Sequence, residues 1–217
     1  MHESGADAPR VWVRRRLDVV WVVSGLVVLV PTGLLAGDGD VDGWEQAIFH
    51  AINGLPAWLE PPMKAVQLLG ILGIGPVVAV AAIAVRKPRL AVGALVATVA
   101  KLVLERAVKA VVERQRPATS TPDAIARGVP VSGLAFVSGH AVLVGALAGI
   151  MSPHLRGWWK SVPWAVLALV CVARVYLGAH NPLDVVGGAG LGVTIAGSVN
   201  LLLGVPSHAE RASASAG

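Results

Sequence analysis

The chain has 217 residues, enough for one ordinary domain or one compact membrane bundle. Apolar residues (AVILMFWYC) make up 55%, only 14% are charged, and the mean hydropathy is +0.69. A soluble domain carries about 25% charged residues, so this composition excludes a disordered chain and argues against a soluble globule, whose surface it could not cover. The net charge of +5 and pI near 10.0 would suit nucleic acid, but a membrane protein with basic inner loops has the same sign. A single cysteine, Cys171, excludes a disulfide framework and any cysteine-based metal site.

Six apolar stretches follow in chain order, each approaching the ~20 residues a helix needs to cross a bilayer. They are 17–36, 63–85, 90–112, 138–151, 162–177 and 182–203. The fourth and fifth are short and require flanking residues to extend them. The first follows Arg14, Arg15 and Arg16, like the start of a signal peptide. It is too long for a signal core and lacks a good cleavage site, so it reads as a retained helix. The expectation is an all-α membrane protein: a six-transmembrane-helix bundle with a short interfacial helix in the first outer loop. It would comprise a cytoplasmic segment 1–16, a membrane domain 17–204 and a cytoplasmic tail 205–217.

Charge sets the expected orientation. Arg10 and Arg14–Arg16, then Arg86, Lys87 and Arg89, then Arg156 and Lys160, and finally Arg211, alternate onto one side. The positive-inside rule makes that side cytoplasmic. The loop 37–61 has no Lys or Arg and carries Asp38, Asp40, Asp42, Glu45 and Glu60. Trp12, Trp158, Trp159 and Trp164 suit the inner boundary, Trp44 and Trp58 an outer interfacial helix, and Trp21 fits the belt less well. Against this bias, the second outer loop holds Arg114, Arg116 and Arg127, and Arg174 lies near an outer helix end. Basic residues on that face suggest a bound anion.

Three segments there could do chemistry. Lys109 and Arg116 are seven apart, about two turns, and share a face if the helix persists to Pro117. Two such cations match a phosphate's oxygens, as would a solvated helix end or an anchor to anionic headgroups. In 136–140, Ser138 is a natural N-cap, Gly139 permits close backbone approach, and His140 would face the same oxyanion; a merely capped helix reads equally well. In 174–184, Gly178 ends a helix, Asn181 can cap, and Pro182 suits the next helix's first position. His180 then lies one turn before Asp184, whose carboxylate could orient the ring or simply cap the turn. His2, His50, His154 and His208 have no part in this constellation. Lys101, Glu105 and Lys109 form an i, i+4 ladder in which Glu105 neutralises one or both lysines or helps select a headgroup. Glycine pairs at 145/149 and 188/192 read as helix packing.

Together the segments resemble the type-2 phosphatidic acid phosphatase family, related to vanadium haloperoxidases and glucose-6-phosphatase. The first motif, Lys, six residues, Arg-Pro, reads Lys109 to Arg116-Pro117. The second, Pro-Ser-Gly-His, reads Val137-Ser138-Gly139-His140. The third, Ser-Arg, five residues, His, three residues, Asp, reads Ala173-Arg174 through His180 to Asp184. Val137 replaces the family's proline and Ala173 its serine, the latter removing one hydroxyl from the phosphate site.

The resemblance implies a metal-independent membrane lipid phosphatase needing no cofactor and acting at the outer face. His180 would attack phosphorus with Asp184 orienting it. His140 would protonate the leaving group and then activate water. Lys109, Arg116, Ser138, Gly139 and Arg174 would hold the phosphate. The implied partners are a lipid phosphate or diphosphate (polyprenyl diphosphate, phosphatidylglycerophosphate or phosphatidic acid) and membrane lipids, with no nucleic acid. A lipid phosphotransferase would share the phosphohistidine. A rhomboid-like intramembrane serine protease, using Ser138 and His180, would leave the cations idle; an inactive anion-binding membrane protein is the remaining class.

Overall fold

A computed structural model describes residues 12–207, so Arg10, Arg211, His2 and His208 lie outside the described residues. The architecture is helical. Helices α1 (Arg16–Ala36), α2 (Gly43–Asn53), α3 (Glu60–Gln67), α4 (Ile74–Ala84) and α5 (Pro88–Val111) come first. The four-residue α6 (Pro117–Ser120), α7 (Gly139–Met151), α8 (Val162–Tyr176) and α9 (Pro182–Leu203) follow. Two short strands, Trp12–Val13 and Val205–Pro206, pair antiparallel.

The expected six-helix span count is not what forms. Among the described residues, three helical stretches are long and apolar enough to cross a membrane: Arg16–Ala36, Gly157–Tyr176 and Pro182–Leu203. A fourth is added only if Ala57–Gly70 and Ile74–Ala84, bent by 65° at their break, count as one. The reasons are local. Apolar composition around residue 70 hides a break, because Gly70, Gly73, Gly75 and Pro76 are poor at continuing a helix. Helix α5 is unbroken over 24 residues, but Arg89, Lys101, Glu105, Arg106 and Lys109 make it too charged to count. Helix α7 has 13 residues, or ~20 Å at 1.5 Å per residue, against a ~30 Å hydrocarbon core.

Helices α7 and α9 form the centre. Eleven of the 13 residues of α7 are buried, so it is enclosed by other helices. Close approach makes this possible: a Cβ on Gly192 would lie 2.5 Å from the Val142 carbonyl oxygen. Helix α1 packs along α9 in the same manner, Gly25 against Gly190 and Thr194. Apolar side chains on α1, α4 and α5 face outward, with Val27, Val80 and Val99 each more than 60% exposed. Such a surface is stable in lipid and not in water.

The two ends of the bundle differ. At one end Lys87 Nζ donates to the His154 carbonyl (3.2 Å), Arg89 Nη1 to Leu203 (3.0 Å) and Arg14 Nε to Leu201 (2.8 Å). The basic segments therefore gather there, where α9 ends. At the start of α9, the opposite end, lies the cluster of charged residues described next. The chain is a multi-pass membrane protein by these helices.

Candidate functional site

A cavity of about 400 Å³ opens among α3, α5, α7, α8 and the loop before α9. Lys109, Arg116, Gly139, His140, Arg174 and His180 all line it, although they come from segments up to 71 positions apart. Two other expected residues do not. Ser138 is fully buried at the N-cap of α7, where its hydroxyl makes no capping bond and has no partner. Asp184 lies behind His180 with no exposed surface.

Each cation reaches the cavity by a different route. Helix α5 stops at Val111, so Lys109 and Arg116 do not share one helical face as the spacing suggested. Arg116 instead comes from the loop at the start of α6, where Nη1 donates to the Ala179 carbonyl (2.9 Å) and Nε is buried without a partner. Arg174, in the last turn of α8, donates through Nη1 to Gln67 Oε1; its Nε is also unpartnered. The guanidinium groups thus retain donors, which suits a bidentate acceptor such as phosphate.

Helix α8 ends in a turn that sets His180. Gly178 has φ +72°, and a Cβ there would lie 2.4 Å from the Ile125 carbonyl oxygen, so only glycine fits. After the turn, Asp184 Oδ2 accepts the Asn181 N–H (2.8 Å), and His180 Nδ1 stands 3.6 Å from the same oxygen. That separation is too long for a hydrogen bond, and Nδ1 has no other partner. Asp184 therefore caps the turn and faces the imidazole at once, combining the two readings of its position. Burial first, then the charges of Arg174, Arg116 and Lys109, hold the His180 imidazole well below its usual pKa. It is accordingly a neutral ring with Nε2 available.

Two functional residues were not singled out from sequence. Arg114 reads in the sequence as one of several basic loop residues, but it is fully buried and does not line this cavity. It forms a two-armed ion pair with Glu45, its Nη1 lies 3.5 Å from Asp184 Oδ1, and Nη2 donates to the Asp40 carbonyl (3.0 Å). Glu45 Oε1 also accepts the Leu183 N–H (2.8 Å), tying α2 to the first turn of α9. Arg127 likewise serves the loop, donating to the Tyr176 carbonyl and lying 4.3 Å over that ring. Of Arg114, Arg116 and Arg127, only Arg116 turns to the cavity.

Glu105 does bind both neighbouring lysines: Lys101 Nζ at 2.7 Å and Lys109 Nζ at 2.9 Å. Lys101 and Glu105 line the cavity too, as do Gln67, Leu68 and Ile71. Among the described residues, no group of three or more His, Cys, Asp or Glu side chains is placed to hold a metal ion.

Residues 90–204 match the PAP2 superfamily, which is more than half of the chain. The chain belongs to this superfamily, and so to a family of phosphatases; it is a membrane phosphatase of the PAP2 type. Two crystal structures are similar. LpxE of Aquifex aeolicus has a TM-score of 0.66 at 24% identity over 72% of this chain and 93% of its own. The first transmembrane PAP2-type phosphatidylglycerolphosphate phosphatase of Bacillus subtilis has a TM-score of 0.64 at 23% identity over 82% and 94%. At that identity the likeness concerns the fold. No curated protein sequence matches the chain.

Proposed function

We propose that this protein hydrolyses a lipid phosphate or diphosphate through a phosphohistidine formed on His180. The observation that carries the reading is the convergence of four cations, a helix N-terminus and two histidines on one cavity. Its walls also include Leu68 and Ile71, which are 54% and 43% exposed and suit an apolar tail.

In the first step the neutral His180 Nε2 attacks phosphorus, and Asp184 behind it stabilises the positive charge that develops on the ring. Lys109, Arg116, Arg174 and the Gly139 N–H hold the equatorial oxygens, where charge spreads in the transition state, and the Ser138 hydroxyl adds a further donor. His140 gives a proton to the leaving oxygen and then takes one from water, which releases phosphate from His180. Positive side chains supply the charge stabilisation in this scheme, so no metal is required. Passing the phosphoryl group to an alcohol instead of water would make a phosphotransferase of the same site.

The proposed orientation puts the basic end of the bundle in the cytoplasm and the cavity at the outer face. The clustering of Arg14, Lys87 and Arg89 at the end remote from the cavity supports it. Single cysteines at Gly39, Thr119 and Gly157, treated with an impermeant thiol reagent in intact cells of a Cys171→Ala background, test it. Labelling at the first two alone is expected; labelling at Gly157 alone reverses the orientation.

Activity is tested on purified protein in detergent, with phosphatidic acid, phosphatidylglycerophosphate and a prenyl diphosphate. Phosphate release that survives EDTA and stops with vanadate is expected. Release lost in EDTA and restored by Mg²⁺ rejects the mechanism.

A further inference from the structure

We propose that Lys101 forms a second anion subsite on the leaving-group side of the cavity, which selects lipid diphosphates, and that Glu105 is the displaceable carboxylate filling it between turnovers. The inference rests on the phosphatase reading above and narrows its substrate class.

Lys101 lies eight residues before Lys109 on α5, ~12 Å further along the helix. It is still on the cavity wall, with 13% of its side chain exposed. A lysine so enclosed within a helical membrane protein is costly and marks a site. The scheme proposed above for a simple phosphate ester does not use it, because Lys109, Arg116 and Arg174 are the cations assigned to the phosphoryl oxygens. Lys101, His140 and Leu68 all line the cavity, and Lys101 lies nearer the middle of the bundle than Lys109, toward the apolar side where a lipid tail would lie.

Glu105 shows what this arrangement accepts. Its two oxygens bridge the ammonium groups of Lys101 and Lys109. The separation of these ammonium groups is one carboxylate and two hydrogen bonds, which the two phosphates of a diphosphate can span. The same carboxylate lies against the first residue of α7: a Cβ on Gly139 would meet its oxygens at 2.5 and 2.6 Å. An anion of the protein's own therefore occupies the point where two lysines and a helix N-terminus meet.

Charge agrees. Lys101, Lys109, Arg116 and Arg174 against Glu105 leave the wall with three positive charges in excess. A phosphate monoester brings about two negative charges near neutral pH, and a second phosphate adds at least one more. Arg114, Glu45 and Asp184 behind His180 carry one net negative charge, but none of the three lines the cavity.

The step balances without a co-reactant other than water. His180 Nε2 forms a bond to the terminal phosphorus. The bond from that phosphorus to the bridging oxygen breaks, its electron pair going to the bridging oxygen. The lipid monophosphate so formed departs against Lys101, with a proton from His140. Water then cleaves the N–P bond, giving inorganic phosphate and returning a proton to His140.

Farnesyl phosphate and farnesyl diphosphate, identical in tail, separate the subsite from everything else in the cavity. The wild type is expected to favour the diphosphate in kcat/KM by about tenfold or more, the effect of one added charged hydrogen bond. Lys101→Met should remove most of that ratio, lowering the diphosphate far more than the monophosphate, and Lys101→Arg should restore it. Glu105→Gln, which loosens the filling anion, should strengthen inhibition by inorganic pyrophosphate more than by inorganic phosphate. An unchanged ratio in Lys101→Met overturns the proposal, as does equal response of the two inhibitors in Glu105→Gln should Lys101→Met not fold. In both cases the phosphatase reading stands. Release of phosphate from neither lipid, nor from phosphatidic acid, overturns that reading as well.

Discussion

Arg114, Glu45 and Asp184 lie behind His180 with no more than 1% of any side chain exposed, whereas Lys101, Glu105 and Lys109 keep 13–20% of theirs open to the cavity. Both clusters pair carboxylates with cations close to the same histidine, yet they answer different needs. The sealed cluster uses nearly all its hydrogen-bonding capacity internally, on the Asp40 carbonyl and the Leu183 N–H as well as on itself. It joins three chain segments and fixes the carboxylate that faces the ring. The open cluster is short of anions, and so remains able to exchange its carboxylate for a ligand. Burial with nearly complete pairing, Arg114 Nε being left over, gives position; partial exposure with a charge excess gives binding.

The sharpest way to separate position from chemistry is to remove the nucleophile. His180→Ala should lower turnover of every phosphate ester by at least about four orders of magnitude, as loss of a nucleophile does elsewhere, while thermal unfolding in detergent stays near that of the wild type. Residual turnover with His180→Ala at wild-type rates would move the chemistry to another side chain. Arg114→Ala should show the opposite pattern of cause, losing about 3–5 kcal/mol of stability because Glu45 and Asp184 are left buried without a cation. Replacing Arg114 and Glu45 together by methionine should recover part of that loss. An Arg114→Ala protein that melts like the wild type would break the distinction between the clusters.

Finer contrasts follow within the cavity. With His140→Ala, lipid substrates should lose most activity, because an alkoxide needs a proton as it leaves. p-Nitrophenyl phosphate should instead give a burst of phenolate and then slow phosphate release, measured by stopped flow. Ser138→Ala should lower kcat/KM by about 1.5–3 kcal/mol, one hydrogen bond to a charged group. It should leave stability unchanged, because the Ser138 hydroxyl has no partner to lose. The smallest effect concerns pH. His180 is held below its usual value by burial and by Arg174, Arg116 and Lys109, so it protonates only well below pH 6.5. The acid limb of kcat/KM that reports His180 should therefore lie below that pH. Arg116→Gln removes a repelling charge, so the limb should move to higher pH; movement to lower pH would mean another group titrates.

The difference between the clusters also explains what was legible in the sequence. Lys109, Arg116, His140, Arg174 and His180 sit in three short motifs, with Pro117, Gly139 and Gly178 marking the breaks, and the structure keeps them together because each motif lies at a helix end. Glu105 was readable as well, since i, i+4 partners on one helix meet wherever the helix forms. Glu45 and Arg114 are 69 positions apart, and nothing local distinguishes Glu45 from Asp38, Asp40 and Asp42 in the same acidic stretch. Spans were harder than sites. Hydropathy registers an average, while the break at residues 71–73 depends on individual glycines, and Lys101, Glu105 and Lys109 of α5 face a cavity that no window can see.

The pairing of Asp18 with Asn200 carries a consequence for how the chain is made. Asp18 is fully buried in α1, where Arg15 and the Asn200 side-chain amide (3.1 Å) satisfy its carboxylate. Asn200 emerges 182 residues later, near the end of α9. During synthesis the first helix holds that carboxylate with Arg15 alone, until the last one brings the Asn200 amide and the strand at Val205–Pro206 closes on Trp12–Val13. Full burial of Asp18 therefore belongs to the finished chain and not to the first helix alone.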